Sequence, residues 1–327
     1  MDQIKAWRVL LGKIIANPHE QQRIANALGV NPATLDRWAN DESNNPRPQN
    51  LRRLVRALPG QREELLPLIL LEFPELEVDA FEETDRDDTS SMIPSEFYMR
   101  VIESCAKTGK SQRFWAVSNL ILSQALGQLD PNNLGMAITV AQCMPPSQGG
   151  FVRSLREVVG RGTSPWQPTL TRESLFLGVE SLAGYVVTKG RPLTIENRSD
   201  RLGFYPVRWE EWEESASVAP IWFEERLAGC LLASSTQPKY FLPFRQTLVE
   251  RYAQLMMLAF NPEDFYAQRD IQLLLMPERE AQRQRAVNFR QRISDILIEA
   301  VNKHETISIE DAERMVWQQL EAELLLA

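Results

Sequence analysis

The chain has 327 residues, 43% of them apolar, with 36 Lys and Arg against 44 Asp and Glu, 2 His and 3 Cys. That length leaves room for two or three domains, each with its own core, and the apolar fraction excludes disorder as the dominant state. The longest apolar run, Leu65 to Leu71, is bounded by Glu63, Glu64 and Glu72 and falls short of the roughly 18 residues a membrane span needs. The N-terminus lacks the plan of a signal peptide, so the expectation is a cytoplasmic protein without membrane contact. Cys105, Cys143 and Cys230 are odd in number and far apart, which suggests reduced, mostly buried thiols and neither a disulfide framework nor a zinc site.

Charge is unevenly placed. Residues 1–62 sum to +5 while the whole chain is −8, so a small basic head precedes a large acidic body, as suits a polyanion-binding segment. Between them, Glu75 to Asp88 holds eight carboxylates around Arg86, a like-charge density that resists burial and marks a linker.

In the head, Ile4, Trp7, Leu10, Leu11, Ile14 and Ile15 recur at helical spacing. Asn17-Pro18 supplies an N-cap and a first-turn proline for a second helix, which runs to about Leu28. Gly29 ends it, and Asn31-Pro32 starts a third helix two or three residues later. Leu35 and Trp38 turn inward in that helix, leaving Ala33, Thr34, Asp36 and Arg37 outward, which is helix-turn-helix geometry. The stretch from Gln22 to Asn40, with Ile24-Ala25, Gly29-Val30 and Arg37-Trp38, followed by Pro48, Leu51, Leu54 and Ala57-Leu58, resembles the lambda-repressor-like helix-turn-helix family (xenobiotic-response-element type). The resemblance implies double-stranded DNA as partner, with Asn31, Ala33, Thr34 and Arg37 at base edges and Gln21, Gln22, Arg47 and Arg52 at phosphates. This chain has Ala39-Asn40 where the family commonly has Glu-Asn. A soluble helical bundle that binds another protein is the bland alternative.

Beyond the linker, Ile93 to Gly127 reads as helical, with Gly127 as C-cap. Gly135 to Cys143 and Phe151 to Val159 read as strands, Ser217 to Trp222 and Leu227 to Ser234 as a hairpin turning at Glu224-Glu225, and Phe241 to Phe260 as a closing helix. The segments Ser181 to Asn197, Ser217-Val-Ala-Pro-Ile and Leu227-Ala-Gly-Cys-Leu-Leu resemble, in order, a helix, a following strand and a late hairpin of the GAF domain, a ligand-sensing α/β fold. The resemblance implies a pocket between the sheet and the covering segments Ser164–Gly178 and Arg198–Ser215. Trp166, Glu196, Tyr205, Arg208, Trp209 and Trp212 are its candidate lining, for a flat or anionic ligand. Hydrophobic cover for the sheet is the heavier alternative for the tryptophans. The cyclic-nucleotide pattern of that family is absent, and no histidine occurs between 20 and 303, which removes the usual ligand of heme, bilin or iron. No cofactor is evident, and an unidentified non-covalent small molecule is the expected effector.

After Phe260, residues 271–300 read as helical, with Ile271, Leu273–Leu275, Phe289, Ile293, Ile296 and Leu297 apolar; Ser308 then caps a last amphipathic helix. This tail is expected to pack on its own sensor or on a second subunit, dimerisation being slightly favoured. No nucleophile and histidine pair, Walker loop or Rossmann fingerprint is present, so no catalysis is expected. The fold class is therefore multidomain α and α+β: a helix-turn-helix bundle (1–72), an acidic linker (73–92), a GAF-like α/β sheet domain (93–260) and C-terminal helices (261–327). The functional expectation is a homodimeric, ligand-responsive transcription regulator, with a non-sensing interaction or dimerisation module on a DNA-binding head as the alternative.

Overall fold

Asn17 and Asn31 each turn a side-chain oxygen onto a backbone amide, of His19 and of Ala33, both at 3.0 Å, and so start two helices on prolines that have no amide to lose. The computed structural model describes residues 6–41, 46–74, 92–146, 150–170, 176–201 and 211–326. Its head holds α1 (Ala6–Ile15), α2 (Pro18–Leu28), α3 (Pro32–Ala39), α4 (Pro48–Ala57) and α5 (Arg62–Glu72). Between α2 and α3, Gly29 sits at φ +67°, a left-handed position that costs other residues strain, and the amide of Val30 closes the cap on Ala25 at 3.0 Å. Helices this short are marginal alone. They hold because Trp7, Leu11, Ile24, Leu28, Leu35, Trp38, Leu51, Leu54, Leu65 and Ile69 share one core, each large side chain contributing roughly 1.5–3 kcal/mol by leaving water.

The central region is built on an antiparallel sheet of order β3-β2-β1-β6-β5-β4, made of β1 (Met136–Cys143), β2 (Leu155–Gly162), β3 (Phe176–Leu177), β4 (Leu193–Ile195), β5 (Ser215–Phe223) and β6 (Arg226–Ser235). Helices α6 (Ser95–Lys107), α7 (Lys110–Leu129) and α9 (Pro243–Met256) cover one face, with Ile121, Leu122, Val249 and Tyr252 against Ile138, Val140 and Leu231. Helix α8 (Leu182–Lys189) covers the other, with Val186 and Val187 against Ala141, Val218 and Cys230. Because both faces are covered, β5 and β6 read as nearly continuous apolar runs instead of alternating ones. Their hairpin turns on Glu224 and Glu225, at φ +47° and +61°, the two positive values that match the twist of paired strands.

After α9 the chain stays extended. β7 (Tyr266–Ala267) pairs with β6, and residues 270–274 run beside Val152 and Arg153, the Gln272 amide donating to Val152 at 2.9 Å and the Leu274 amide to Arg153 at 2.8 Å. Three helices follow: α10 (Arg279–Ala286), α11 (Phe289–Asn302) and α12 (Ile309–Leu325), the last capped by the Ser308 hydroxyl accepting from the Asp311 amide. Val316, Trp317, Leu320 and Leu324 of α12 pack on Met144, Phe176 and Met276 of the same chain.

The fold class matches the expectation: a helical head, an α/β sheet domain and C-terminal helices. Four local expectations are corrected. The helical stretch 93–127 is two helices broken at Thr108 and Gly109, and Gly127 lies inside α7, which ends when the Asp130 carboxylate takes the amides of Leu134 and Gly135. The second strand starts at Leu155 and ends at Gly162, later than 151–159, because Val152 bridges to Ile271. The closing helix spans 243–256 and tightens into a short 3-10 turn over 257–259. Residues 271–275 are extended, with Ile271 and Leu273 filling the sheet edge while Leu274 and Leu275 stay exposed, an alternation no helix stripe gives. The acidic run 75–88 lies outside the described residues.

Candidate functional site

On the head, Asn31, Ala33 and Arg37 are exposed along α3, and Thr34 is half-buried beside them. Arg37 rests its Nε on the Ala33 carbonyl at 3.2 Å, one turn back, so its remaining guanidinium donors project from the helix surface. Asn31 has a second task, because its Oδ1 holds the Ala33 amide and only its amide nitrogen is left to reach outward. Gln21 is half-buried and donates to the Pro32 carbonyl at 3.4 Å, tying α2 to the start of α3. Arg47 is exposed ahead of α4, and Arg52 is half-buried with its Nε unpartnered among the described residues. Arg23 and Arg53 are structural: they reach the carbonyls of Ala57 and Leu28 at the ends of α4 and α2.

Gln22 faces elsewhere. It lies on the wall of a cleft of about 790 Å³ between α2 and the sheet domain. From the head the wall includes Asn17, His19, Glu20 and Asn26; from the sheet domain it includes Asn132, Asn133, Glu211, Trp212, Glu214 and Thr236. The head is held over this cleft by Lys239, whose ammonium reaches Glu63 at 3.1 Å, and by Gly60, which sits so close to Pro238 that a Cβ there would be 2.6 Å from its ring.

Trp166 and Trp212 come together, ring centroids 6.5 Å apart and edge to face at 86°. Their roles divide. Trp166 is 7% exposed and covers the sheet end, its indole nitrogen unpartnered among the described residues, whereas Trp212 is 45% exposed and lines the cleft. Glu196 is exposed after β4, its carbonyl taking the Lys239 amide at 2.6 Å, and it is not part of the cleft wall. Tyr205, Arg208 and Trp209 lie outside the described residues. The space between the sheet and α8 is filled by Leu155, Leu182, Val186, Val218 and the two cysteines of β1 and β6.

Asn132, Asn133, Glu211 and Glu214 were not singled out from the sequence. They lie in two loops of the sheet domain, between α7 and β1 and ahead of β5, and face α2 across the cleft; no local pattern carries that information. All three thiols are driven upward by burial, Cys143 and Cys230 strongly and Cys105 less, so they stay protonated at neutral pH.

No protein-family model matches the chain, and no curated protein matches it. Solved structures with a similar course include the GAF domain of a phosphoenolpyruvate-protein phosphotransferase from Acinetobacter, 15% identical, covering 50% of this chain and 90% of that one at a TM-score of 0.37. The GAF domain of the corresponding protein from Coxiella burnetii is 14% identical, covering 50% and 89% at a TM-score of 0.34. The type II free methionine-R-sulfoxide reductase from Thermoplasma acidophilum is 14% identical, covering 50% and 99% at a TM-score of 0.34. Among the described residues no helix is long and apolar enough to cross a membrane.

Proposed function

We propose that the chain is a transcription regulator whose head reads double-stranded DNA and whose GAF-like sheet domain senses a small molecule. The observation that carries this reading is the turn at Gly29, which delivers α3 immediately after α2 with Asn31, Ala33 and Arg37 exposed and Leu35 and Trp38 buried. Basic charge concentrated in residues 1–62 supports it. Binding as a homodimer would place two such helices about 34 Å apart on successive major grooves.

The stripe of α12 is occupied by contacts within its own chain, so pairing would use what is left on the tail, where Val287, Ile298, Val301 and Ile309 are 79, 58, 72 and 67% exposed. The open cleft favours a sensing role over a domain that only docks partners. Protonated, buried thiols do not favour the cysteine chemistry of a reductase. The test is selection of bound fragments from a random duplex pool by the full-length protein at about 150 mM salt, where purely electrostatic binding is weakened. An inverted repeat is the expected product, and absence of any enriched sequence overturns the reading.

A further inference from the structure

We infer that the cleft between α2 and the sheet domain is the effector site, and that it selects an organic cation whose binding opposes DNA binding. Three carboxylates line it. Glu20 is neutralised by Arg23, whose Nε and Nη2 reach it at 3.0 and 2.7 Å. Glu214 has only a 4.0 Å approach from Arg198, with both side chains more than 40% exposed, and the Glu211 carboxylate has no partner among the described residues. Among the described residues of the wall, His19 and the committed Arg23 are the only basic side chains. The described wall is therefore net negative, and its partial enclosure focuses that field.

Trp212 supplies the second half of the recognition. Its ring is fixed at the edge of Trp166 yet 45% exposed on the wall, which it shares with Glu211 and Glu214, and an aromatic face beside carboxylates attracts ammonium and guanidinium groups. Asn132 and Asn133 add amide groups that can orient polar substituents. An anion would meet the Glu211 carboxylate and the loosely paired Glu214, and a neutral apolar ligand would have to strip water from them without replacing it. The expectation of an anionic ligand that rested on Arg208 concerns a residue outside the described ones, and the described wall has the opposite sign.

The coupling follows from Gln22, and rests on the DNA-binding reading proposed above. Gln22 is a residue assigned to phosphate, and it is also on the cleft wall. A cation bridging α2 and Trp212 stabilises the arrangement in which that wall is closed on the sheet domain. DNA stabilises one in which Gln22 turns to phosphate, and by linkage each ligand weakens the other.

The experiment is titration calorimetry of the full-length protein with choline and with benzyltrimethylammonium, using 3,3-dimethylbutan-1-ol as the uncharged counterpart of choline. Millimolar or tighter binding of a cation is expected. The uncharged alcohol should bind at least about tenfold more weakly, and Glu211→Gln and Trp212→Ala should each weaken the cation by about tenfold. Two variants are used because Trp212→Ala also removes a packing partner of Trp166, whereas Glu211 is exposed. Failure of both cations to bind at about 10 mM, or equal binding of the alcohol, overturns the assignment. Affinity for the selected DNA is then measured with and without the cation: a rise in Kd that both variants abolish is expected, and an unchanged Kd overturns the coupling. Cation binding without any DNA selection would sink the regulator reading alone and leave the site standing.

Discussion

Arg8 and Glu72 form an ion pair that joins the first and last helices of the head, at 2.7 Å between Nη2 and Oε1, with the two side chains 2% and 10% exposed. The same guanidinium donates to the Trp38 carbonyl at 2.8 Å, and the Trp7 indole donates to the other Glu72 oxygen at 2.6 Å. One carboxylate thus satisfies two residues of α1, while Arg8 also closes the C-terminal end of α3. Glu72→Ala removes the acceptor of the Trp7 indole and one of two carboxylates at Arg8, which keeps Asp41 at 3.3 Å, and losing a buried acceptor typically costs about 1–3 kcal/mol. Against a domain stability of roughly 5–15 kcal/mol this is a measurable share of what holds the head together. Denaturant unfolding followed by the near-ultraviolet signal of Trp7 and Trp38 checks it, and a midpoint equal to that of the parent would contradict the account.

Under the proposed DNA-binding role, Arg37→Ala should lower affinity for the selected sequence by about 1–3 kcal/mol and relax preference at one position. Arg52→Ala should weaken all sequences alike and flatten the salt dependence, as expected for a phosphate contact. Binding isotherms on matched and scrambled duplexes at two salt concentrations separate the two outcomes. If both variants behave alike, the division between base and phosphate contacts is wrong.

Asn31 permits a finer division, because it caps α3 and also faces outward. Asn31→Ala should cost about 1 kcal/mol of head stability through the lost cap, and Asn31→Ser should restore most of it. A serine variant that is stable but reads DNA poorly would assign the Asn31 amide nitrogen to a base. Normal DNA reading by that variant would assign the residue to capping alone.

Gly229 in β6 has φ +147°, and a Cβ placed there would lie 1.9 Å from the Ala141 carbonyl oxygen of the neighbouring strand. Gly229→Ala must push β1 and β6 apart at the centre of the sheet, and a loss of about 3 kcal/mol or more is expected. Thermal unfolding of the variant should show the sheet domain melting well below the parent, while helical signal from the head persists.

Glu321 on α12 is buried against Ser154, whose hydroxyl donates to it at 2.5 Å. Burial raises its carboxyl above the ordinary 4.5, and the Ser154 bond and nearby Arg153 offset only part of that. A carboxyl that holds its proton more tightly when folded favours the folded state most below the unfolded value. That contribution is lost as pH rises through the folded value. The ionised form carries this penalty, so Glu321→Gln should raise the urea midpoint at pH 7 and remove this group's share of the decline as pH rises from the acid side. A variant less stable than the parent at pH 7 would show that the ionised group is needed there. Asp130, also raised by burial, keeps its own share.

What the sequence made readable was local. The two Asn-Pro starts, Gly29, the Ser308 cap and the Glu224-Glu225 turn each act within a few residues, and each stands where its chemistry requires. Residues 271–275 were misread because a short apolar run carries no period of its own, and the partner that makes it extended, Val152, is over 100 residues away. Polar groups that bury themselves by long-range bonds were equally silent. Glu180 takes the amides of Gly178 and Met276, and Gln282 both accepts from and donates to Phe176, yet all read as surface residues in a linear scan. For the site, aromatic density found Trp166 and Trp212, while Asn132 and Asn133 reach the same wall from a distant loop of the sheet domain and the polar side chains of α2 reach it only through the docked head.

The extended stretch between α9 and α10 changes what a fragment of this protein can be. Its amides at Gln272 and Leu274, and its Leu274 carbonyl, which accepts from Val179, are stitched into the region of β2 and β3. A polypeptide stopped at Phe260 would present those strands with unpaired carbonyls and would strip Ile271 and Leu273 from the apolar layer under α8. Such an open rim invites pairing between molecules, so a shortened sheet domain should precipitate where the intact chain does not. Biochemistry on the sheet domain is therefore best done with everything after it left attached.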